Sequence, residues 1–177
     1  MLFAAGCTSD RGLHPTIHPS FPPITPIHNR EEIQVTWVRS WRPTIYLRAE
    51  YDSHDYDRDK RIHLSYSIAG EYVSKPSRVR ITESQWFEIA DALQSLEFWS
   101  AGWECEELAY REQSLYVREK DKCEEIVMND GAHISIAATN GKDSRGVQAI
   151  CPDIELCEPL GVLPKVMLAI AGFEAEL

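Results

Sequence analysis

No stretch of this chain approaches the roughly 18 consecutive apolar residues that a membrane-crossing helix needs, so no spanning helix is expected. Positive charge is scarce: 18 Lys and Arg stand against 28 Asp and Glu, a formal net charge of -10. A nucleic-acid binder needs a basic face to displace counterions, so no nucleic-acid partner is expected. There is no Gly-rich phosphate cradle, because "GKDS" at 141–144 sits at a hairpin tip and not in a Walker segment. No G-x-S-x-G elbow is present to expose a serine nucleophile. No C-x-x-C pair exists, and the spacing of Cys151 and Cys157 matches no common zinc site. No cofactor is therefore expected.

What remains is an ordinary globular composition, 44% hydrophobic over 177 residues, which suits one domain with its own core. The lead is different. Residues 8–30 hold Pro15, Pro19, Pro22, Pro23 and Pro26 among His, Ser and Thr. Proline fixes φ and removes donors, so such a segment is expected to stay extended and build no core. At about 3.1 Å per residue it would reach roughly 70 Å. The expected division is a lead and tether over 1–30 and a single domain over 31–177.

The body alternates. In "TIYLRAEY", Ile45, Leu47, Ala49 and Tyr51 share one face, with Tyr46, Arg48 and Glu50 opposite. In "RIHLSYSI", Ile62, Leu64, Tyr66 and Ile68 do the same, leaving His63, Ser65 and Ser67 on an outward face. Period-two alternation of this length predicts half-buried strands. An earlier strand carries Ile33, Val35 and Trp37, and a later one carries Val79 and Ile81. Trp37 and Trp41 lie four apart on the core side rather than forming a sugar platform. "TESQWFEIADALQSL" predicts a helix: Thr82 and Gln85 form a capping box, and Trp86, Ile89, Ala90, Leu93 and Leu96 recur at helical spacing.

Beyond it "QSLYV", "CEEIVM", "AHISIAAT" and "SRGVQAIC" read as a meander. The register of the last hairpin follows from its faces. A loop over Asn140–Asp143 sets Ile136 opposite Val147 and Ile134 opposite Ala149, whereas a two-residue turn would break the apolar face. His133, Ser135 and Gln148 then share an outward face. A closing helix has Pro164 in its first turn, Val166, Met167 and Ile170 on its buried side, and Gly172 at its end. The expected fold is α+β, a mainly antiparallel sheet of about seven to eight strands with two helices packed on it.

The N-terminus supplies an address. Leu2 to Gly6 has the character of the tail of an apolar signal core running into small residues. Ala4-Ala5-Gly6-Cys7 resembles the lipobox of bacterial lipoproteins, with Ala4 where Leu is usual. The resemblance implies that Cys7 becomes a lipid-bearing mature N-terminus, with the missing signal start either encoded upstream of Met1 or cut away near the processing site. Thr8, where an inner-membrane protein tends to carry Asp, implies an outer-membrane position facing the periplasm. The body, through "EFW", "DGAHISI" and Pro152, resembles small uncharacterised bacterial envelope domains, which implies no function.

With Cys7 lipidated, Cys105, Cys123, Cys151 and Cys157 form an even set, suited to disulfides in an oxidising compartment. Four cysteines allow three pairings. A Cys105–Cys123 link would close a loop contributing about 3 kcal/mol.

Three clusters are candidates for chemistry. Asp55, Asp57 and Asp59 alternate like the first ligands of a calcium loop, but no Gly follows at the sixth position and Tyr66 stands where a bidentate Glu belongs. A solvated hairpin tip is the expectation there, and no metal. His63 and His133, each with serines on its face, offer the parts of a hydrolase without an oxyanion hole. Glu104, Glu106 and Glu107 with Glu124 and Glu125 make an acidic zone suited to a cationic protein partner. The reading drawn is a lipid-tethered envelope protein whose domain binds another protein, as an inhibitor or immunity-type partner. An envelope hydrolase and a cytoplasmic domain are the alternatives.

Overall fold

A computed structural model describes residues 21, 24–39, 42–54, 61–69, 75–100, 102–112, 114–119, 121–126, 132–151 and 159–173. The expectations for Cys7, for the Asp55–Asp59 cluster, for Trp41 and for Cys157 lie outside these residues, as does the side chain of Cys151.

Four strands come first: β1 (Arg30–Arg39), β2 (Arg42–Asp52), β3 (Ile62–Ala69) and β4 (Ser77–Arg80). Helices α1 (Glu83–Ser95) and α2 (Glu104–Glu112) follow, then β5 (Leu115–Glu119), β6 (Lys122–Ile126), β7 (Ala132–Thr139), β8 (Ser144–Cys151) and α3 (Val162–Ile170). The fold is α+β. A six-stranded antiparallel sheet runs β4-β3-β2-β1-β7-β8, and β5 pairs with β6 in a separate ribbon.

The alternation in the sequence sets the sheet. Ile33, Val35 and Trp37 of β1 pair with Ala49, Leu47 and Ile45 on one side and with Ala138, Ile136 and Ile134 on the other. These side chains face α1 and α3, whose Trp86, Ile89, Leu93, Leu163 and Met167 complete one continuous core. The β7–β8 register sets Ile136 against Val147 and Ile134 against Ala149, as the four-residue loop requires. Asn140 Oδ1 closes that loop by accepting from the amides of Lys142 and Asp143.

Helix α1 starts at the capping box: Gln85 N–H donates to Thr82 Oγ1, and Thr82 N–H to Gln85 Oε1. Helix α3 ends at Gly172, whose φ of +87° suits a residue without Cβ.

Two features depart from the sequence pattern. Helix α2 is a third helix that periodicity does not announce, because only Cys105 and Ala109 of it are buried. One turn of spacing between two small residues is a weak apolar stripe. The second departure is at the lead. Phe21 is 9% exposed and packs on Tyr46, so the folded body includes residues ahead of the boundary at 31 that composition suggests.

Candidate functional site

The face of the sheet turned away from α1 and α3 carries Glu32, Gln34, Thr36, Arg48, His63, Ser65, Ser67, His133, Ser135, Thr139 and Gln148, and every one of them is buried. The outward faces expected for His63 with Ser65 and Ser67, and for His133 with Ser135 and Gln148, are therefore one face, and these six side chains are buried in it, while Arg78 and Arg80 at its β4 edge are exposed. Period-two alternation explains the segregation of polar from apolar residues. It cannot say whether the polar side meets water or other polar groups.

Cross-strand pairing assembles the charged centre. Glu32 on β1 lies opposite Glu50 on β2, which lies opposite His63 on β3. Gln34 lies opposite Arg48, one pair further along. Arg48 Nη2 donates to Glu32 Oε2 at 2.8 Å and to Glu50 Oε1 at 3.2 Å. Gln34 Nε2 donates to Glu32 Oε1 at 2.7 Å, and Arg30 pairs with Glu50. Buried charges persist only when so paired.

The two carboxylates diverge. Burial raises the Glu32 carboxyl, and Arg48 and Gln34 only partly offset it. Burial acts on Glu50 in the same direction, but His63, Arg48 and Arg30 together outweigh it and hold that carboxyl at about 2. Arg48 thus serves an ionised Glu50 beside a Glu32 that resists ionisation, the usual outcome when two carboxylates share one cation.

His63 Nε2 lies 2.5 Å from Glu50 Oε2, and Arg78 Nη2 lies 2.7 Å from Nδ1 and 2.5 Å from Nε2. Arginine can only donate, so the arrangement that satisfies all three groups has Nε2–H donating to Glu50 and Nδ1 accepting from Arg78. A histidine oriented by a carboxylate is half of a general-base pair. Here Arg78 also contacts the ring, within 2.7 Å of both nitrogens. Elsewhere on this face Ser135 Oγ donates to Gln148 Oε1 at 3.0 Å, so this serine too is engaged within the sheet.

The acidic residues gather on a different part of the molecule. Glu104, Glu106 and Glu107 lie on α2, Glu124 and Glu125 on β6, and a Cys105–Cys123 disulfide with Cα atoms 5.2 Å apart ties the two elements together. This unit packs on the outer strand β8. At Gly146 the Tyr110 ring fills the space where a side chain would be, its nearest atom 2.2 Å from an ideal Cβ position. Arg145 reaches from β8 to Glu107, and Arg118 donates to Glu104 at 2.7 Å, lowering that carboxyl. Tyr116 donates to Glu112 at 2.5 Å, which pushes its phenol up to about 12.

Two of the five carboxylates proposed as a binding face are thus matched by arginines. Glu124 and Glu125 are exposed and meet no cation among the described residues. A shallow cleft lies at this joint, bounded by Glu104, Tyr110, Arg111, Cys123 and Arg145. A second lies at the start of α1, between Arg61, Arg80 and Glu83. Neither is lined by His63 or His133. Among the described residues no group of His, Cys, Asp and Glu is arranged to hold a metal, and no helix is long and apolar enough to cross a membrane.

Sequence reasoning did not reach the Glu32–Arg48–Glu50–His63 cluster, although each strand was identified. The signal lay in register: only once β1, β2 and β3 are aligned do these opposite charges become neighbours. Phe21 was also missed. It is the one Phe, Tyr or Trp within residues 8–30, which was the available clue. No protein-family model and no curated protein matches the chain.

Proposed function

We propose that this chain is a lipid-anchored protein of the bacterial envelope whose domain binds another protein, in the manner of an inhibitor or immunity partner, and performs no catalysis. The observation that carries the reading is the disulfide-tied acidic unit of α2 and the β5–β6 ribbon. Disulfides persist in oxidising compartments, which fits export beyond the cytoplasm. The exposed Glu124 and Glu125 sit on that stiffened ribbon and suit a cationic partner, whose approach they would speed. The lipobox-like Ala4 to Cys7 supplies the anchor in this reading, and more than one acyl chain would make it stable.

The test is cross-linking in intact cells, comparing the full chain with its Glu124→Arg, Glu125→Arg variant. A discrete cross-linked product of the wild type, lost in the variant at unchanged protein level, is expected. Identical products from both would overturn the acidic unit as the contact.

A hydrolase centred on His63 is the second reading, favoured by the 2.5 Å contact with Glu50 and opposed by Arg78 on the ring's other nitrogen. Hydrolytic activity that vanishes in His63→Gln while the fold persists would establish it.

A further inference from the structure

A residue that belongs to no helix or strand is buried against the polar face of the sheet, at β2. Phe21 packs against Tyr46, and the two form a buried cluster separate from the main core. Its ring lies under the guanidinium of Arg48, 5.7 Å from Cζ to centroid. Arg48 is itself held by Glu32 and Glu50, so the cation above the ring is fixed by the ion network. Tyr46 is 1% exposed and Arg48 5%, so the seat is a deep one. The occupant comes from a lead in which Pro22 and Pro23 follow Phe21 directly, a composition that pre-sets an extended backbone at low entropic cost.

A rigid aromatic-and-cation seat filled by an aromatic side chain that two prolines follow in sequence has the parts of a Pro-rich mode of peptide recognition. We propose that the Tyr46–Arg48 seat is a binding site for an extended, proline-flanked aromatic segment of a partner protein, and that Phe21 occupies it in cis as a built-in pseudo-ligand. The tethered segment competes at an effective concentration in the millimolar range, so a partner must displace it.

This deepens the protein-binding reading by giving the partner's chemistry, at a seat on β2 three strands away from β8, on which the acidic unit packs. The experiment is a titration of the full chain with a synthetic peptide carrying residues 18–26. The Phe21→Ala variant is expected to bind the peptide at least tenfold more tightly than the wild type, because the cis competitor is gone. The same peptide with Ala at the Phe position is expected to lose at least tenfold on that variant. Equal binding by variant and wild type, or no preference for the Phe peptide over the Ala peptide, would overturn the proposal.

Should Phe21→Ala fail to fold, Phe21→Leu weakens the cis contact without emptying the seat. At least threefold tighter peptide binding than wild type is then expected, and none would overturn the proposal. The titration needs neither lipid nor Glu124 and Glu125. Its failure therefore leaves the anchored, acidic-unit reading standing, and failure of the cross-linking test leaves the seat standing.

Discussion

The two faces of the six-stranded sheet are buried alike and are held by different physics. On one, Trp37, Ile45, Leu47, Leu64, Ile134 and Ile136 meet two helices, and each side chain gains by leaving water. On the other, Glu32, Arg48 and Glu50 lose by leaving water, and only their mutual contacts recover the loss. The apolar face is a sum of many similar terms, so no one partner is indispensable to another. The polar face is a linked set, so removing one member strands the rest.

Trp37 sets the upper end of the contrast. Trp37→Ala, at a site with no exposure, is expected to cost about 3–5 kcal/mol in urea unfolding. A loss below about 1 kcal/mol would mean that this face is not close-packed. Arg48→Met tests the linked set. Stranding Glu32 and Glu50 is expected to cost about 3 kcal/mol, and adding Glu32→Leu to recover part of that loss, a non-additive result that no pair of core truncations should give.

Acid sharpens the same point. Glu50 is held at about 2, below its ordinary value of 4.5, so its stabilising effect is fully present above pH 4.5 and is lost as pH falls through about 2. The stability gap between wild type and Glu50→Gln is expected to shrink across that window, by on the order of 2–3 kcal/mol. Glu32 acts oppositely. Its carboxyl is raised, so its contribution is present at low pH and is lost as pH rises through its folded value. In Glu32→Gln that loss disappears.

Gly146→Ala tests how the acidic unit sits on β8. The new Cβ would meet the Tyr110 ring, and about 1–3 kcal/mol of destabilisation is expected, relieved when Tyr110→Ala is added. The smallest effect belongs to the exposed ribbon, where Glu124→Arg with Glu125→Arg should change unfolding by no more than about 0.5 kcal/mol while altering partner capture.

These contrasts also mark what the residues alone could convey. Alternation identified β1, β2, β3, β7 and β8, and the parity of Ile134, Ile136, Val147 and Ala149 was enough to choose the register of the last hairpin. The capping box located α1 to the residue. Those features are local, or couple segments joined by a short loop. The polar cluster is neither. Glu32 and Glu50 lie 18 positions apart, and their neighbourhood with His63 and Arg48 exists only after three strands are aligned. Helix α2 hid for another reason: its acidic residues resemble a loop, and it is held by a covalent link to Cys123 and by Tyr110 against Gly146 rather than by a continuous apolar stripe.

The most direct measurement is intact mass with peptide mapping of the full-length product purified from cell membranes. A Cys7 that is N-terminal and acylated, together with a Cys105-to-Cys123 cross-linked peptide, is the expected result. A chain retaining Met1, with Cys7 bare and both Cys105 and Cys123 as free thiols, would contradict the envelope assignment.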